Sequence, residues 1–314
     1  MLGSVEAKMR ILTYRQLEPR SGLLPLMEQA FGWPFDPLEF EKTIKADPRL
    51  RDSGVGFCAV IEGKTVAYVG VMDLATKTVD DKVERVGGIY GVATLPGHTR
   101  KGICTALLNR AHEHFLEKGY RLSFLTTSPT IVAYALYKKT GYFDVTSFPG
   151  VYKIKEKANT HKTVKPEKAS RLDFARMLEI YREYVKSKTG FAVRDESYLK
   201  MLAKTHEIVS KECIITEKGY VIFKKDKKQV RIRELVAHGK KEMNKLIRIV
   251  EDKAQNVVYG RDILDSTLRE AYEERGFTIL DSGHGVLMVK ELTADAVFKE
   301  TYGNRFYMSA LDHF

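Results

Sequence analysis

Cysteine is scarce in this 314-residue sequence: Cys58, Cys104 and Cys213 lie far apart, without the spacing of a metal site. The odd number argues against a disulfide framework, so we expect a reducing, cytoplasmic compartment. No apolar signal-peptide segment opens the chain. A longer uncharged run, residues 122–137, contains Ser, Thr and Pro and is too short to cross a bilayer. The sequence therefore predicts a soluble protein with no membrane partner and no metal cofactor.

The common nucleotide-binding motifs are also missing. There is no GxGxxG fingerprint and no GxxxxGK[ST] loop, which argues against a dinucleotide fold or a P-loop enzyme. The 52 Lys and Arg residues outnumber the 41 Asp and Glu residues, and the net charge of +11 favours anionic partners. The basic and aromatic interleaving of RNA-binding modules is absent. A nucleic-acid-binding protein is therefore the least favoured alternative.

Length and patterning predict two domains. In the first half, strand-like segments alternate with helix-like ones, which predicts a mixed α/β layer. Gly63 and Lys64 mark a hairpin, residues 101–118 and 131–140 are predicted helices, and a final strand pair extends to about Lys155. Residues 155–170 are rich in Lys and almost empty of large apolar side chains, as interdomain linkers are.

Two short matches indicate that the second half repeats the first. Tyr137, Gly141 and Tyr142 recur at the same spacing as Tyr272, Gly276 and Phe277, and the "IYGVA" that ends at Ala93 resembles the "RELVA" that ends at Ala237. The second copy has no counterpart of the segment "TLPGHTRKG", residues 94–102. Because the repeat can do without this turn, the turn is better explained by a ligand than by folding.

The turn has the chemistry of a phosphate site. A strand that runs through a glycine-bearing turn into a helix presents unpaired backbone N–H groups at the positive end of the helix dipole. Gly102 allows close approach of a ligand, and Arg100 and Lys101 add positive charge. An ordinary loop, in which the glycine only makes the turn, remains the alternative from these residues alone.

The segment from Arg85 to Asp144 resembles the coenzyme A site of the GNAT superfamily of N-acetyltransferases. The superfamily loop runs Pro, two residues, Arg or Gln, two residues, Gly, one residue, Gly or Ala. Here Pro96 and Gly102 match that pattern, and Arg100 lies between them. Thr99 stands where Arg or Gln is usual, and Cys104 stands where Gly or Ala is usual. The later "AYALYKKTGY", residues 133–142, resembles a second superfamily motif. The tandem arrangement, with "GFAVRDESYL" and "IRELVA" in the second half, resembles the enhanced-intracellular-survival family.

The resemblance implies a fold of two tandem acetyltransferase-like domains with α+β mixed sheets, the second domain degenerate. The expected divisions are residues 1–158 for the catalytic domain, 159–291 for the degenerate domain and 292–314 for a tail that docks on the first. That family's third, sterol-carrier-like domain has no room here, which leaves substrate and homo-oligomeric state open. The implied activity is acetyl transfer from acetyl-CoA to an amine of a small molecule or peptide, by direct attack.

The implied cofactor residues are on the strand, the turn and two helix starts: Val92, Ala93, Thr94, Arg100, Lys101, Gly102, Ile103, Cys104, Thr105, Val132 and Ala133. Tyr137 is the candidate general acid because a phenol stays protonated at neutral pH; a core tyrosine is the alternative. In the resembled family the terminal carboxylate reaches the active site, which makes the carboxylate of Phe314 the candidate general base. The alternative is a terminal segment that docks only for stability.

Other candidates stay open. Rival bases with no distinguishing spacing are Asp73, Glu84, His98 and Asp312. Cys104 is favoured as a small side chain at a tight contact rather than a nucleophile, because no His or carboxylate has motif spacing to it. Trp33 lies where the superfamily builds its acceptor pocket, although a core or hinge contact is equally compatible. The departures at Thr99 and Cys104 keep one further alternative, a catalytically inactive coenzyme A sensor or scaffold.

Overall fold

A computed structural model describes residues 8–155, 172–191, 193–261, 265–281 and 285–313. The predicted linker beyond Lys155 and the candidate base Phe314 lie outside these residues. The first half contains seven strands and five helices in the described range: β1 Arg10–Thr13, α1 Leu24–Phe31, α2 Pro37–Ala46, α3 Pro48–Arg51, β2 Val55–Ile61, β3 Lys64–Lys77, β4 Val83–Thr94, α4 Ile103–Glu117, β5 Leu122–Thr127, α5 Val132–Lys139, β6 Phe143–Ser147 and β7 Gly150–Ile154.

The second half follows the same alternation of strands and helices. Its described elements are α6 Phe174–Tyr184, β8 Thr189–Gly190, α7 Glu196–Thr205, β9 Cys213–Ile215, β10 Gly219–Asp226, β11 Gln229–Ala237, α8 Lys240–Lys253, β12 Val257–Arg261, α9 Ser266–Glu274, β13 Thr278–Leu280, β14 Val286–Glu291, α10 Phe298–Tyr302 and β15 Phe306–Tyr307. Aspartates cap five of the helices by accepting backbone N–H bonds: Asp36 on α2, Asp47 on α3, Asp173 on α6, Asp195 on α7 and Asp265 on α9.

These strands form two mixed sheets with the same internal order, as the predicted α/β class requires. The first sheet runs β1-β2-β3-β4-β5-β14-β6; in addition, the short β8 pairs with β3, and β15 pairs with β8. The second sheet runs β13-β7-β12-β11-β10-β9. A parallel pair occupies the same place in both orders: β4 with β5, and β11 with β12. The two sheets therefore share one topology, which agrees with the internal repeat.

The two halves exchange a strand. β14, from the second half, lies between β5 and β6 of the first sheet, and β7, from the first half, lies between β12 and β13 of the second. The expectation that β6 and β7 form a pair is therefore wrong: each finds its partners in a different sheet. The predicted division of the chain near residue 158 follows chain order, and the exchanged strands cross it.

The repeated tyrosine-glycine-aromatic motif forms the same turn twice. Tyr142 N–H donates to Tyr137 O at 3.0 Å, and Phe277 N–H donates to Tyr272 O at 3.0 Å. Both intervening glycines have a left-handed φ, +95° at Gly141 and +72° at Gly276, which a side chain would disfavour. The spacing in the sequence therefore reports a helix end that both repeats conserve.

Four apolar clusters make up the core. On the first sheet, one cluster lies on the side of α4 and α5, and the other lies on the side of α1, α2 and the tail. The second sheet has one cluster against α8 and α9 and one against α6 and α7. The tail after β14 is well buried: Phe298 and Tyr302 pack around Phe124 of β5, and Met308 and Leu311 are also buried.

Candidate active site

A wedge opens between β4 and β5. The two strands pair only over Gly87–Ile89 and Ser123–Leu125, and no further β4–β5 pairs occur in the described residues. Just beyond, β4 carries a bulge: Tyr90 pairs with Gly70 and Ala93 with Tyr68, so two residues of β4 face one of β3. Gly91, in this bulge, has a left-handed φ of +56°. The bulge bends β4 away from β5 and opens the wedge.

The free edge of β4 offers backbone hydrogen bonds to a ligand in the wedge. Leu95 N–H donates to Val66 O of β3 at 2.9 Å. Because successive residues of a strand direct their backbone polar groups to opposite edges, the N–H and C=O of Thr94 face the wedge. Val92 lies at the bulge and Ala93 packs in the core. Thr94 thus has the backbone orientation expected of a group that holds an extended ligand.

The turn after β4 ends at an open helix N-terminus. Gly102 is the N-cap of α4, with φ +74°, and no side chain accepts a hydrogen bond from the first turn. The aspartate-capped helices differ, since their carboxylates satisfy such N–H groups. The N–H groups of Ile103, Cys104 and Thr105 are therefore directed at solvent beside the exposed Arg100 and Lys101, a donor set that fits a pyrophosphate.

Thr99, which departs from the superfamily loop pattern, braces the turn from within. Its hydroxyl donates to the carbonyl of Pro96 at 2.9 Å, and its N–H donates to the same oxygen at 3.3 Å. Arg100 follows with a left-handed φ of +59°, which a non-glycine residue adopts at a cost. Thr99 therefore helps to hold the backbone in the shape that brings Gly102 to the start of α4.

Cys104 and Tyr137 lie together at the α4–α5 side of the wedge. Burial raises the pKa of the Cys104 thiol to about 11, although a hydrogen bond with Thr94 partly lowers it. A thiol with that pKa is protonated at neutral pH, which argues against a nucleophile. Burial, together with the nearby Cys104, also raises the pKa of Tyr137 well above that of a free phenol. Val132 at the start of α5 is 92% exposed, and Ala133 packs against the same cluster.

A buried polar network supports this side of the site. The Tyr142 hydroxyl shares hydrogen bonds with His112 Nε2 at 3.0 Å and with Ser123 Oγ at 2.7 Å, and Lys290 Nζ lies 3.3 Å from His112 Nδ1. The ring of Tyr142 packs edge-on against Tyr137 at 6.1 Å. Burial lowers the pKa of His112 to about 3, so its ring is neutral at pH 7. Sequence spacing gives no signal for this network, because its members come from four separate elements.

Three of the rival bases are occupied by ion pairs. Asp73 pairs with Lys118 at 2.5 Å, Glu84 with Arg121 at 3.0 Å, and Asp312 with Arg194 at 2.8 Å. His98 lies in the turn after β4. Trp33 is not a core residue: it is 51% exposed and stacks on Phe31 at 4.7 Å between α1 and α2.

The tail reaches the other face of the wedge. His313 packs on Phe148 with ring centroids 4.1 Å apart. Phe148 N–H donates to Gly285 O, and Gly285 lies beside Thr127 O at the end of β5. Arg194 fixes the tail from the second half: its fully buried guanidinium bonds both Glu234 and Asp312 at 2.8 Å. Arg194 and Glu234 lie in the segments "GFAVRDESYL" and "IRELVA", but neither pattern indicates the buried ion pairs that they make.

The fit of acetyl-CoA to this site rests on the hydrogen-bond donors along the wedge and the turn. Thr94, the uncapped N-terminus of α4 and the two adjacent cations form a continuous strip of hydrogen-bond donors and positive charge. The described part of the chain holds no group of three or more His, Cys, Asp or Glu side chains that could bind a metal ion. No helix among the described residues has both the length and the apolar character that crossing a bilayer requires.

Comparison with known proteins agrees with this geometry. Residues 16–143 match the model of the acetyltransferase (GNAT) domain family, so the first half contains a GNAT acetyltransferase domain. The splayed strands and the turn into α4 lie within the matched residues. None of the curated proteins compared with the sequence matches it significantly.

Solved structures extend the likeness to both halves. A GCN5-related N-acetyltransferase from Kribbella flavida superposes with a TM-score of 0.66 at 18% identity, covering 90% of this chain and 71% of that one. Eis1 from Mycobacterium abscessus superposes with a TM-score of 0.59 at 16% identity, covering 92% of this chain and 74% of that one. A GCN5-related N-acetyltransferase from Anabaena variabilis superposes with a TM-score of 0.63 at 17% identity, covering 91% of this chain and 73% of that one. At these identities the likeness concerns the fold, which is that of two tandem acetyltransferase-like repeats.

Proposed function

We propose that this protein transfers the acetyl group of acetyl-CoA to an amine. The observation that carries the proposal is the pairing of a splayed β4 edge with an uncapped α4 N-terminus in a GNAT domain. In that arrangement Thr94 and Val92 hold the pantetheine arm, Arg100, Lys101 and residues 102–105 hold the pyrophosphate, and Val132 and Ala133 flank the arm. The second repeat has only His238 and Gly239 between β11 and α8, so we place catalysis in the first repeat.

Acetyl transfer proceeds by direct attack. The amine nitrogen bonds to the thioester carbonyl carbon, the carbon–sulfur bond breaks, and the departing thiolate takes a proton from the Tyr137 phenol. The amine loses one proton to a base, and solvent returns a proton to Tyr137. Holding both reactants in line supplies much of the rate, because it removes the entropic cost of their encounter. We also propose a reducing, cytoplasmic compartment, with which the three free cysteines are compatible.

Tyr137→Phe tests the general acid. We expect turnover to fall about 100-fold or more, because the thiolate then leaves without a positioned proton, while the Kd for acetyl-CoA stays within about twofold. The measurement is thiol release from acetyl-CoA with a panel of amines. Tyr134→Phe, one turn away on the same helix and bonded through its hydroxyl to Asp144, is the matched control. An unchanged turnover number in Tyr137→Phe would remove this role.

The base is proposed to be the Phe314 carboxylate, on the resemblance stated above. His313, the residue before it, lies at the wedge, which supports the proposal. Appending a few residues after Phe314 moves the carboxylate away, and full activity of the extended chain would exclude the role. A coenzyme A sensor differs from the enzyme in one measurement, since it binds acetyl-CoA and releases no thiol with any amine of the panel.

A further inference from the structure

One face of the second sheet carries an uncovered row of basic and aromatic side chains. Arg231 of β11 pairs in register with Tyr259 of β12, which pairs with Tyr152 of β7. Their sequence neighbours Val230, Val258 and Val151 are buried against α8 and α9. Since successive side chains alternate between faces, the row lies on the opposite face, where Arg261 continues it two residues beyond Tyr259.

The strand exchange brings this row to the acceptor side of the wedge. The chain passes from Phe148, beside the end of β5, to Gly150, which pairs directly with Arg261. Phe148 belongs to the cluster on the face of the first sheet opposite α4 and α5. A cofactor that enters from the α4 side leaves this other face to the amine. His313 connects the row to this face of the first sheet. Its ring packs on Phe148, and Arg231 and Arg261 are close enough to act on it electrostatically.

The row itself, Arg231, Tyr259, Tyr152 and Arg261, contains no carboxylate. Among the described residues, Arg231, Arg233 and Arg261 make no ion pair with a carboxylate. Arg233 N–H groups bond His206. Burial and the proximity of Arg231 lower the pKa of Arg233, and the carboxylates of Glu212 and Glu207 offset part of that shift. Burial first, then Arg231, Arg261 and His206, lower the pKa of His313 to about 4. Every charged neighbour that shifts the pKa of His313 is thus basic.

The acidic groups nearby are used elsewhere or lie at the rim. Asp312 and Glu234 both bind Arg194, and Asp47 binds Arg49. A groove of about 420 Å³ runs past the row; its lining includes His206, Arg231, Arg233 and Tyr259, and its carboxylates, Glu207 and Asp226, are exposed. Guanidinium groups that lack a carboxylate partner favour an anionic ligand, which they can bind through paired N–H donors.

We propose that the amine acceptor carries an anionic group, a carboxylate or phosphate, which Arg231 and Arg261 bind while the amine reaches the wedge. The proposal rests on the acetyl-transfer function and specifies its substrate class. A polycationic acceptor is disfavoured, because it would place like charge against this row. The anionic group selects the substrate, and the transfer chemistry stays at β4 and α5.

Four amines of matched length test the proposed substrate class. Hexylamine, 6-aminohexanoate, an aminoalkylphosphonate of the same length and 1,6-diaminohexane differ only in the far group. We expect kcat/KM for both anionic amines to exceed that for hexylamine by roughly tenfold or more, the equivalent of one good charged contact, and the preference to shrink at high salt. The diamine should be the poorest substrate. Equal values for hexylamine and the anionic amines, or a preference for the diamine, overturn the proposal.

Charge removal locates the contact. Arg231→Gln and Arg261→Gln should each lower kcat/KM for 6-aminohexanoate about tenfold and leave that for hexylamine unchanged. Arg248→Gln removes one charge from the exposed side of α8, on the other face of the sheet, and should change neither. Loss of activity toward both amines in the Arg231 or Arg261 variant would indicate a structural role and contradict the proposal.

A binding measurement separates this proposal from the enzymatic one. Calorimetry of 6-aminohexanoate with the protein saturated with coenzyme A reports the anionic contact without turnover. Binding that Arg261→Gln weakens, together with no thiol release from any amine, overturns the acetyl-transfer function and with it the substrate class. Thiol release from hexylamine without measurable binding of 6-aminohexanoate leaves the enzyme standing and overturns the anionic acceptor.

Discussion

Burial controls the protonation of the side chains around the wedge. Tyr137 and Cys104 are both pushed toward their protonated forms, which suits one to donate a proton and prevents the other from acting as a thiolate. His112, in the network beneath Tyr137, is held neutral by the same effect. A neutral imidazole can share a hydrogen bond with the Tyr142 hydroxyl without bringing a charge into the core. The environment of each residue, more than its type, therefore sets its chemistry.

His112 contributes to the pH dependence of stability. Its pKa is about 6.5 in the unfolded chain and about 3 in the fold, so the unfolded chain binds more protons between those values. Stability is therefore lost as the pH falls below about 6.5, with a slope that approaches about 1.4 kcal/mol per pH unit for this one proton. His112→Gln keeps a polar partner for Tyr142 and should reduce the slope of stability against pH, while the other buried histidines, such as His313, keep part of it. Urea unfolding at pH 7, 6 and 5 measures it; parallel curves for the two proteins would contradict the assignment.

At the scale of elements, one connection distinguishes the two repeats. Residues 95–102 link β4 to α4, whereas His238 and Gly239 suffice between β11 and α8. Both helices begin at a glycine without a side-chain cap, but only the longer connection adds Arg100 and Lys101 and a turn braced by Thr99. The fold thus persists without the turn, which supports its assignment to a ligand.

Two glycines in this turn give a matched test. An added Cβ would meet no atom within 4 Å at either Gly97 or Gly102, but only Gly102 has a left-handed φ. Alanine at residue 102 should therefore cost about 1–2 kcal/mol in the bound loop and raise the Kd for acetyl-CoA roughly 5- to 30-fold. Gly97→Ala should leave the Kd nearly unchanged. Isothermal titration measures both, and equal effects would show that backbone conformation is not the cause.

At the scale of the whole molecule, strand exchange makes the halves depend on each other. Leu287, Met288 and Val289 of β14 are completely buried in the first sheet, although they belong to the second half of the chain. β7 takes the corresponding place in the second sheet. Each sheet therefore lacks an inner strand unless both halves are present, and the acceptor side of the wedge is built only when they combine.

Separate halves test this dependence. Residues 1–158 and residues 159–314, expressed apart, should each lack a cooperative unfolding transition, because an inner strand and its buried apolar contacts are missing. Mixing the two should restore the transition and acetyl-CoA binding. The intact chain cut after residue 158 through an inserted protease site is the control and should stay folded. A cooperative transition in the first fragment alone would show that β14 is dispensable.

The local patterns of the sequence predicted much of this molecule. The order of strands and helices up to β6, the turn into α4, and the repeated helix end at Gly141 and Gly276 all follow from spacing that the backbone enforces within a few residues. The GNAT domain was recognised from two such segments and is confirmed by the family match. The cofactor half of the candidate site is continuous in sequence, which is why it could be predicted.

Contacts between distant segments could not be predicted in this way. The apolar residues of β7 and β14 do not by themselves select the partners of these strands, because either sheet offers a similar edge. The tertiary structure decided that choice and, with it, the approach of Arg231 and Arg261 to His313, the burial of Arg194 between Glu234 and Asp312, and the ion pairs that occupy Asp73 and Glu84. The sequence by itself determined the cofactor turn, since local backbone geometry makes it; only packing across the two repeats assembled the acceptor face, because its charges come from segments far apart in the chain.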